Sequence, residues 1–117
     1  MSNATVEVDI LSGAPNPAWT LSEADAAALL ARLAELPAAP ARARPGGLGY
    51  RGIVVRLTEA PERVVHIHGG LVESSDGRSS AFLRDPDRSL ERWLVGTGRD
   101  RLAGELLDAI DADLCER

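Results

Sequence analysis

The chain is poor in the residues that build several common kinds of functional site. Its 117 residues include one cysteine, Cys115, which excludes an internal disulfide and any zinc site made of several cysteines. Lysine is absent, so the chain offers none for a Schiff base or a phosphate-binding loop. All thirteen basic residues are therefore arginines, which we attribute to the codon usage of a GC-rich bacterial genome and not to function.

Long hydrophobic runs and a positive net charge are also missing. The longest apolar run, residues 26–31, is too short to span a membrane. The first twenty residues carry Glu7 and Asp9 and lack the apolar core of a secretory signal, so we expect a cytoplasmic protein. The formal net charge of −5 disfavours non-specific binding to nucleic acid or to a membrane surface.

The remaining composition is typical of one globular domain, with 44% apolar and 26% charged residues. Residues 1–4 resemble the remnant of a removed expression tag, so we predict a single domain over 5–117. Three prolines and three glycines between residues 37 and 49 predict a flexible connector.

The pattern of apolar residues predicts an α+β fold. Alternation predicts strands over 5–12, 51–59 and 63–69, and Asp76-Gly77 predicts a two-residue hairpin that pairs Ser75 with Arg78. Leucines at helical spacing predict helices beginning near residues 22, 86 and 99. The order β-α-β-β-β-α-α indicates a two-layer sandwich, with a mainly antiparallel four-stranded sheet and helices packed on one face.

The two central strands fix the expected register of this sheet. Their apolar positions should face the helices: Ile53, Val55, Leu57, Val65 and Ile67. Matching these positions predicts Leu57 opposite Val65 and Arg56 opposite His66. The glycines at 69 and 70 predict a bulge at the end of the strand over 63–69. The hairpin at Asp76-Gly77 should bring Leu71 opposite Phe82.

His66-Ile67-His68 has the spacing of two metal ligands on one strand face. With Glu73, this spacing is similar to the first motif of the cupins. However, the chain has no third histidine, and a guanidinium at Arg56 would repel a cation held at His66. We therefore expect two histidines on the exposed face of the sheet, with no metal and no other cofactor.

Four polar and aromatic residues in two loops form a candidate ligand-binding site: Asn16, Trp19, Tyr50 and Arg51. Aromatic bodies with polar tips, held on proline-stiffened loops, are common in binding surfaces. Arg51 would bind a carboxylate or another anion. The alternative is that Trp19 packs under the first helix and Tyr50 lies at the sheet edge, because a chain with so few aromatics needs them in its core.

Three segments carry a resemblance to a known group of proteins: SGAPNPAWTL at 12–21, GYRG at 49–52 and LERWL at 90–94. Over most of residues 9–110 the chain resembles a small family of uncharacterised bacterial and fungal proteins. That family has no established activity, so the resemblance implies no catalytic role. It does imply that the two loops belong to one shared feature.

Three functions follow from these residues, and whether the chain is an enzyme stays open. The first is a non-catalytic accessory domain that binds a small molecule or a protein partner through the two loops. The second is a small metabolite-tailoring enzyme with His66 or His68 as general base, which requires a dry pocket lined by Val54 and Val64. The third is a subunit of a homo- or hetero-oligomer, with a homodimer formed through an outer sheet face that carries Val54 and Val64 and is extended by Val72.

Overall fold

The computed structural model describes residues 4–11, 16–40, 49–58, 62–102 and 104–115, which form an antiparallel sheet of six strands with helices packed against it. The strands are β1 (Ala4–Leu11), β2 (Ala18–Thr20), β3 (Gly49–Leu57), β4 (Arg63–His68), β5 (Leu71–Ser75) and β6 (Ser80–Arg84). The helices are α1 (Glu23–Glu35), α2 (Ser89–Thr97) and α3 (Gly104–Cys115), and short 3-10 turns at Pro86–Arg88 and Arg99–Arg101 precede α2 and α3. The predicted α+β class is confirmed.

The predicted number of strands is wrong, because the sheet has six strands in the order β2-β1-β3-β4-β5-β6. The additional strand β2 lies in the segment that we expected to be a loop. There Trp19 pairs with Val6, and the carbonyl of Pro17 accepts from the Val8 amide at 2.9 Å. Proline removes only a donor, so it can still take part in pairing through its carbonyl. The sixth strand arises because the chain turns at Gly69-Gly70, which separates β4 from β5.

The core forms where the alternation of apolar residues predicts it. The five predicted sheet positions are between 0% and 8% exposed: Ile53, Val55, Leu57, Val65 and Ile67. They belong to one cluster with side chains from all three helices: Leu29, Leu33, Leu90, Leu94, Ile110 and Leu114. Burial of these apolar side chains is the main stabilising contribution that holds the helices on the sheet.

The register between β3 and β4 differs by two residues from the prediction. Leu57 lies opposite Arg63, and His66 lies opposite Val54 instead of Arg56. An even shift keeps every side chain on its predicted face, so the core is unchanged. The predicted register would have placed Ile53 opposite Gly69, whereas the observed one pairs it with an apolar partner, Ile67.

The predicted bulge at residues 69 and 70 and the predicted outer-face position of Val72 are also wrong. Gly69 and Gly70 form no bulge; they make the two-residue turn between β4 and β5, with φ of 62° and 88°. Positive φ at both positions is what a type I′ turn needs. This turn pairs Val72 with Ile67, so Val72 is fully buried in the core and does not lie on the outer face.

The hairpin at Asp76-Gly77 has a four-residue loop in place of the predicted two-residue turn. Ser75 pairs with Ser80, and Leu71 lies opposite Arg84 instead of Phe82. The reason is the Asp76 side chain, whose carboxylate accepts from the amides of residues 78 and 79 at 2.9 and 3.0 Å. These two hydrogen bonds stabilise a turn that is wider than the predicted two-residue turn.

The helix signals are largely confirmed. The Ser22 hydroxyl caps α1 by accepting from the Asp25 amide at 3.1 Å, and the helix therefore begins where it was predicted, near residue 22. The last helix begins at Gly104, five residues later than predicted, because Arg99–Arg101 forms a separate 3-10 turn. Among the described residues, no helix is long and apolar enough to cross a membrane.

The predicted connector begins as an ordered segment. The Pro37 carbonyl accepts from the Arg84 amide at 2.8 Å, and the Ala39 amide donates to the Phe82 carbonyl at 2.9 Å. Residues 37–40 therefore lie along β6, while residues 41–48 of the predicted connector lie outside the described residues. Of the predicted tag remnant, residues 1–3 also lie outside them, and Ala4 is a buried residue of β1.

Candidate ligand-binding site

A buried charged network joins α2, α3 and the sheet. Glu91 on α2 is fully buried, and both of its carboxylate oxygens accept from the guanidinium of Arg88, at 2.9 and 2.8 Å. The same guanidinium donates to the Asp113 carboxylate of α3 at 2.7 Å and to the Asp113 backbone carbonyl at 2.6 Å. A buried ion pair needs such complete hydrogen bonding to offset the loss of hydration.

Two further groups complete the shell around Glu91. The Tyr50 hydroxyl donates a short hydrogen bond to one carboxylate oxygen, and the Gly69 amide donates to the other at 3.1 Å. Burial, together with the negative charge of Glu91, raises the pKa of Tyr50 far above its ordinary value. The tyrosine is therefore neutral throughout the physiological range and serves as a hydrogen-bond donor.

His68 extends the network to the end of β4. Its Nε2 lies 3.0 Å from the Asp113 carboxylate, and its ring meets the ring of Tyr50 edge-on at 5.4 Å. Burial alone would raise the pKa of Asp113, but hydrogen bonds from Arg88 and His68 outweigh it and hold this pKa below its ordinary value. Asp113 is therefore the carboxylate that ties the C-terminal end of α3 to the sheet.

The prediction that both histidines lie on an exposed face is wrong. His66 is buried at 7% exposure, with its Nε2 3.8 Å from the Asp9 carboxylate, and the His68 side chain is only 18% exposed. The strand end brings His68 against α3, and this contact could not be inferred from the alternation of the strand alone.

The cluster has the donor atoms of a metal site but already contains a cation. One ligand atom each from His68, Glu91 and Asp113 lie within 4.8 Å of one another. The Arg88 guanidinium contacts both carboxylates, so it supplies the positive charge that a metal ion would otherwise bring. In this arrangement the three groups form a structural ion-pair network.

An unusual backbone segment places Arg88 inside the network. Asp87 and Arg88 both adopt left-handed conformations, with φ of 57° and 55°. The Asp85 carboxylate caps α2 behind them by accepting from the amides of Leu90 and Glu91 at 2.9 and 3.1 Å. Left-handed backbone at non-glycine residues costs energy, and the ion pairs of Arg88 offset that cost.

A pocket of about 330 Å³ opens beside this segment, and we call it the arginine pocket. Its walls are residues 69–70, 84–88 and 92, which include three arginines. Arg88 is saturated by the buried network. Among the described residues the Arg84 side chain has no ion-pair partner, and Arg92 donates to two backbone carbonyls, those of Asp87 and Leu114.

The structure separates the four residues of the predicted loop site: Trp19 and Tyr50 make buried contacts, whereas Asn16 and Arg51 bind Glu7 and Asp9, which lie two residues apart on β1. Asn16 bridges neighbouring strands: its side-chain oxygen accepts from the Ile10 amide at 3.2 Å, and its amide donates to Glu7 at 2.9 Å. Arg51 pairs with Asp9 at 3.2 Å. Tyr50 belongs to the buried network.

Trp19 lies in the core at 4% exposure, as the alternative interpretation requires, and its hydrogen bond is to the end of α2. Its indole nitrogen donates to the Thr97 hydroxyl at 2.9 Å, at the end of α2. Its ring covers Gly98, where an added Cβ would overlap the ring carbons. This tryptophan is therefore a packing residue between β2 and α2.

The sequence contains a signal for Glu91 that the predictions above did not use. Leu90, Leu94 and Val95 form the apolar stripe of α2, and Glu91 stands within that stripe at helical spacing. A carboxylate at such a position must find a buried partner, and Arg88 three residues earlier is within reach. The arginine pocket gave no comparable signal, because its walls come from separate parts of the chain.

Comparison with known proteins adds no further constraint on function. No protein-family model matches the chain, and no curated protein or solved structure is significantly similar to it. The resemblance to a small bacterial and fungal family therefore stays a prediction, and function has to be inferred from the geometry of the chain itself.

Proposed function

We propose that the protein is a non-catalytic domain that binds a small anionic molecule in the arginine pocket. The observation that carries the proposal is the pair Arg84 and Arg92, two guanidiniums that line one concave pocket without a carboxylate partner among the described residues. Guanidinium groups bind carboxylates and phosphates through paired hydrogen bonds, so an anion is the ligand that suits this pocket.

The size of the pocket supports this function, and so does the bonding of Asp85, one of the two acidic residues in its wall; the other is Asp87. A volume of about 330 Å³ lies in the ordinary range for small-molecule sites. The Asp85 carboxylate that lines the pocket is engaged by the amides of α2, which reduces its repulsion of an anion. Arg88 has its donors directed to Glu91 and Asp113, so we assign the principal ligand contact to Arg84. Arg92 adds a second positive charge, although its Nε and Nη2 already donate to backbone carbonyls.

This proposal keeps the predicted class of function and changes its location. An anion held by arginine was the expectation for Arg51, but Arg51 is paired with Asp9. Tyr50 contributes indirectly, because its hydrogen bond to Glu91 supports the network behind the pocket. Asn16 and Trp19 have structural contacts that leave them no part in this site.

The first test compares two exposed arginines near the β5–β6 hairpin. Arg84 lines the pocket, whereas Arg78 lies in the loop between these strands. At constant ionic strength, inorganic phosphate should raise the Tm of the wild type in a saturable manner, because a ligand that binds the folded state stabilises it. Arg84→Ala should lose at least half of this rise, and Arg78→Ala should retain it.

Two results would overturn the proposal. One is a wild-type Tm that does not respond to phosphate beyond the effect of sodium chloride at equal ionic strength. The other is an Arg84→Ala protein that responds to phosphate as the wild type does.

One observation favours the enzyme alternative, the contact between His68 and Asp113 at 3.0 Å. A carboxylate that orients a histidine is a common arrangement for a general base. However, neither His66 nor His68 lines the arginine pocket, and Asp113 is shared with Arg88.

The oligomer alternative depends on the outer sheet face, where Val64 is 41% exposed. One such side chain does not make an interface, so we rank both alternatives below the binding function.

A further inference from the structure

We propose that the ligand of the arginine pocket is an elongated carboxylic acid, with its acidic group at Arg84 and Arg92 and its aliphatic chain directed past Gly70 toward Pro40. This inference rests on the proposed function and names the class of molecule that the site accepts.

A second cavity lies next to the arginine pocket. This cavity has a volume of about 110 Å³ and is lined by Ala39, Pro40, Gly70, Leu71 and Arg84. Gly70 and Arg84 line both cavities, so the two cavities are neighbours that share part of their walls. A ligand that passes this shared wall would reach from Arg92 in the arginine pocket to Pro40 in the second cavity.

The two ends of this site differ in chemistry. Arg84 and Arg92 supply positive charge at the arginine pocket, whereas Ala39, Pro40 and Leu71 present aliphatic side chains in the second cavity. A polar group buried against these three side chains would lose its hydration without gaining a side-chain hydrogen bond. A molecule that fits both ends therefore has an acid at one end and hydrocarbon at the other.

The wall of the second cavity is a fixed part of the fold. The Ala39 amide donates to the Phe82 carbonyl at 2.9 Å, and the Arg84 amide donates to the Pro37 carbonyl at 2.8 Å. These bonds hold residues 37–40 along β6.

The test is a titration of the wild type with linear carboxylates of increasing length: acetate, butyrate, hexanoate and octanoate. We expect the dissociation constant to fall about fourfold for each methylene that enters the second cavity, and to level off once that cavity is full. Acetate should bind weakly, through the arginines alone.

Matched variants test where the aliphatic chain of the ligand lies in the protein. Ala39→Phe fills the second cavity and should abolish the gain from butyrate to hexanoate while leaving acetate binding unchanged. Ala38→Phe, at the exposed neighbouring residue, should behave as the wild type. Pro40→Phe obstructs the same cavity from an exposed position, so it repeats the test if Ala39→Phe does not fold.

The outcomes separate this inference from the proposed function. If neither acetate nor inorganic phosphate binds the wild type, both proposals are overturned. If acetate binds and Arg84→Ala abolishes it, but affinity does not depend on chain length, only the carboxylic-acid inference is overturned. A chain-length dependence that Ala39→Phe and Pro40→Phe leave unchanged would also overturn it.

Discussion

The contact between Trp19 and Gly98 shows how a single side-chain volume determines the packing of β2 on α2. The indole ring occupies the space that a Cβ at residue 98 would need, and its nitrogen is bonded to Thr97. The backbone of Gly98 has φ of −130°, which other residues can adopt, so the requirement for glycine here is steric.

We therefore predict that Gly98→Ala destabilises the protein by about 1–3 kcal/mol, the usual cost of inserting a methyl group into a packed contact. Chemical denaturation monitored by tryptophan fluorescence would measure this loss. Gly96→Ala is the control, because nothing lies within 4 Å of an added Cβ at that helical position. It should stabilise the protein by up to about 1 kcal/mol. Equal effects of the two substitutions would contradict the packing argument.

At the scale of single residues, the sequence predicted burial better than it predicted roles. Alternation correctly placed Ile53, Val55 and Val65 in the core, because burial follows from local periodicity. The role of Trp19 could not be predicted in the same way. Its partner Thr97 lies 78 residues away, and no local pattern encodes that contact.

Asp113 adds a charged attachment of helix α3 to the sheet, beside the apolar packing of Ile110 and Leu114. The carboxylate accepts from Arg88 at 2.7 Å and contacts His68 at 3.0 Å, and these contacts hold its pKa below the ordinary value despite partial burial. A carboxylate whose pKa is lowered in the folded state contributes stability above its unfolded pKa of about 3.9. That contribution is lost as the pH falls through the lower folded-state pKa.

We predict that Asp113→Asn reduces the free energy of unfolding at pH 7, and that the difference from the wild type shrinks progressively below about pH 4. Urea denaturation over a series of pH values would measure both effects. Asp108→Asn, on an exposed residue of the same helix, should follow the wild type. A difference between Asp113→Asn and the wild type that stays constant down to about pH 2 would show that the carboxylate charge is not responsible.

At the scale of elements, the sequence predicted the faces of strands but not their partners. A shift of two residues between β3 and β4 leaves the alternation intact, so the pattern alone could not separate Val54 from Arg56 as the partner of His66. Strand β2 was missed for a related reason. Its neighbouring prolines indicate a loop, and its pairing with β1 is a non-local interaction.

The whole molecule assembles its candidate site from segments that are distant in the sequence. The turn at Gly69-Gly70, the end of β6, the 3-10 turn and α2 meet at the arginine pocket. The sequence predicted a helix start near residue 86, but not the left-handed backbone at residues 87 and 88 that directs Arg88 toward Glu91. Such a conformation follows from the surrounding contacts, so this site became visible only in the folded chain.

The central claim is that Arg84 and Arg92 make the arginine pocket an anion site. Its most direct test is a titration of 15N-labelled protein with inorganic phosphate at constant ionic strength, followed by amide chemical shifts. We predict saturable shifts confined to residues 69–70 and 84–92, and their loss in Arg84→Ala. Saturable shifts centred on residues 16–19 and 50–51, or no saturable shift at all, would contradict the account.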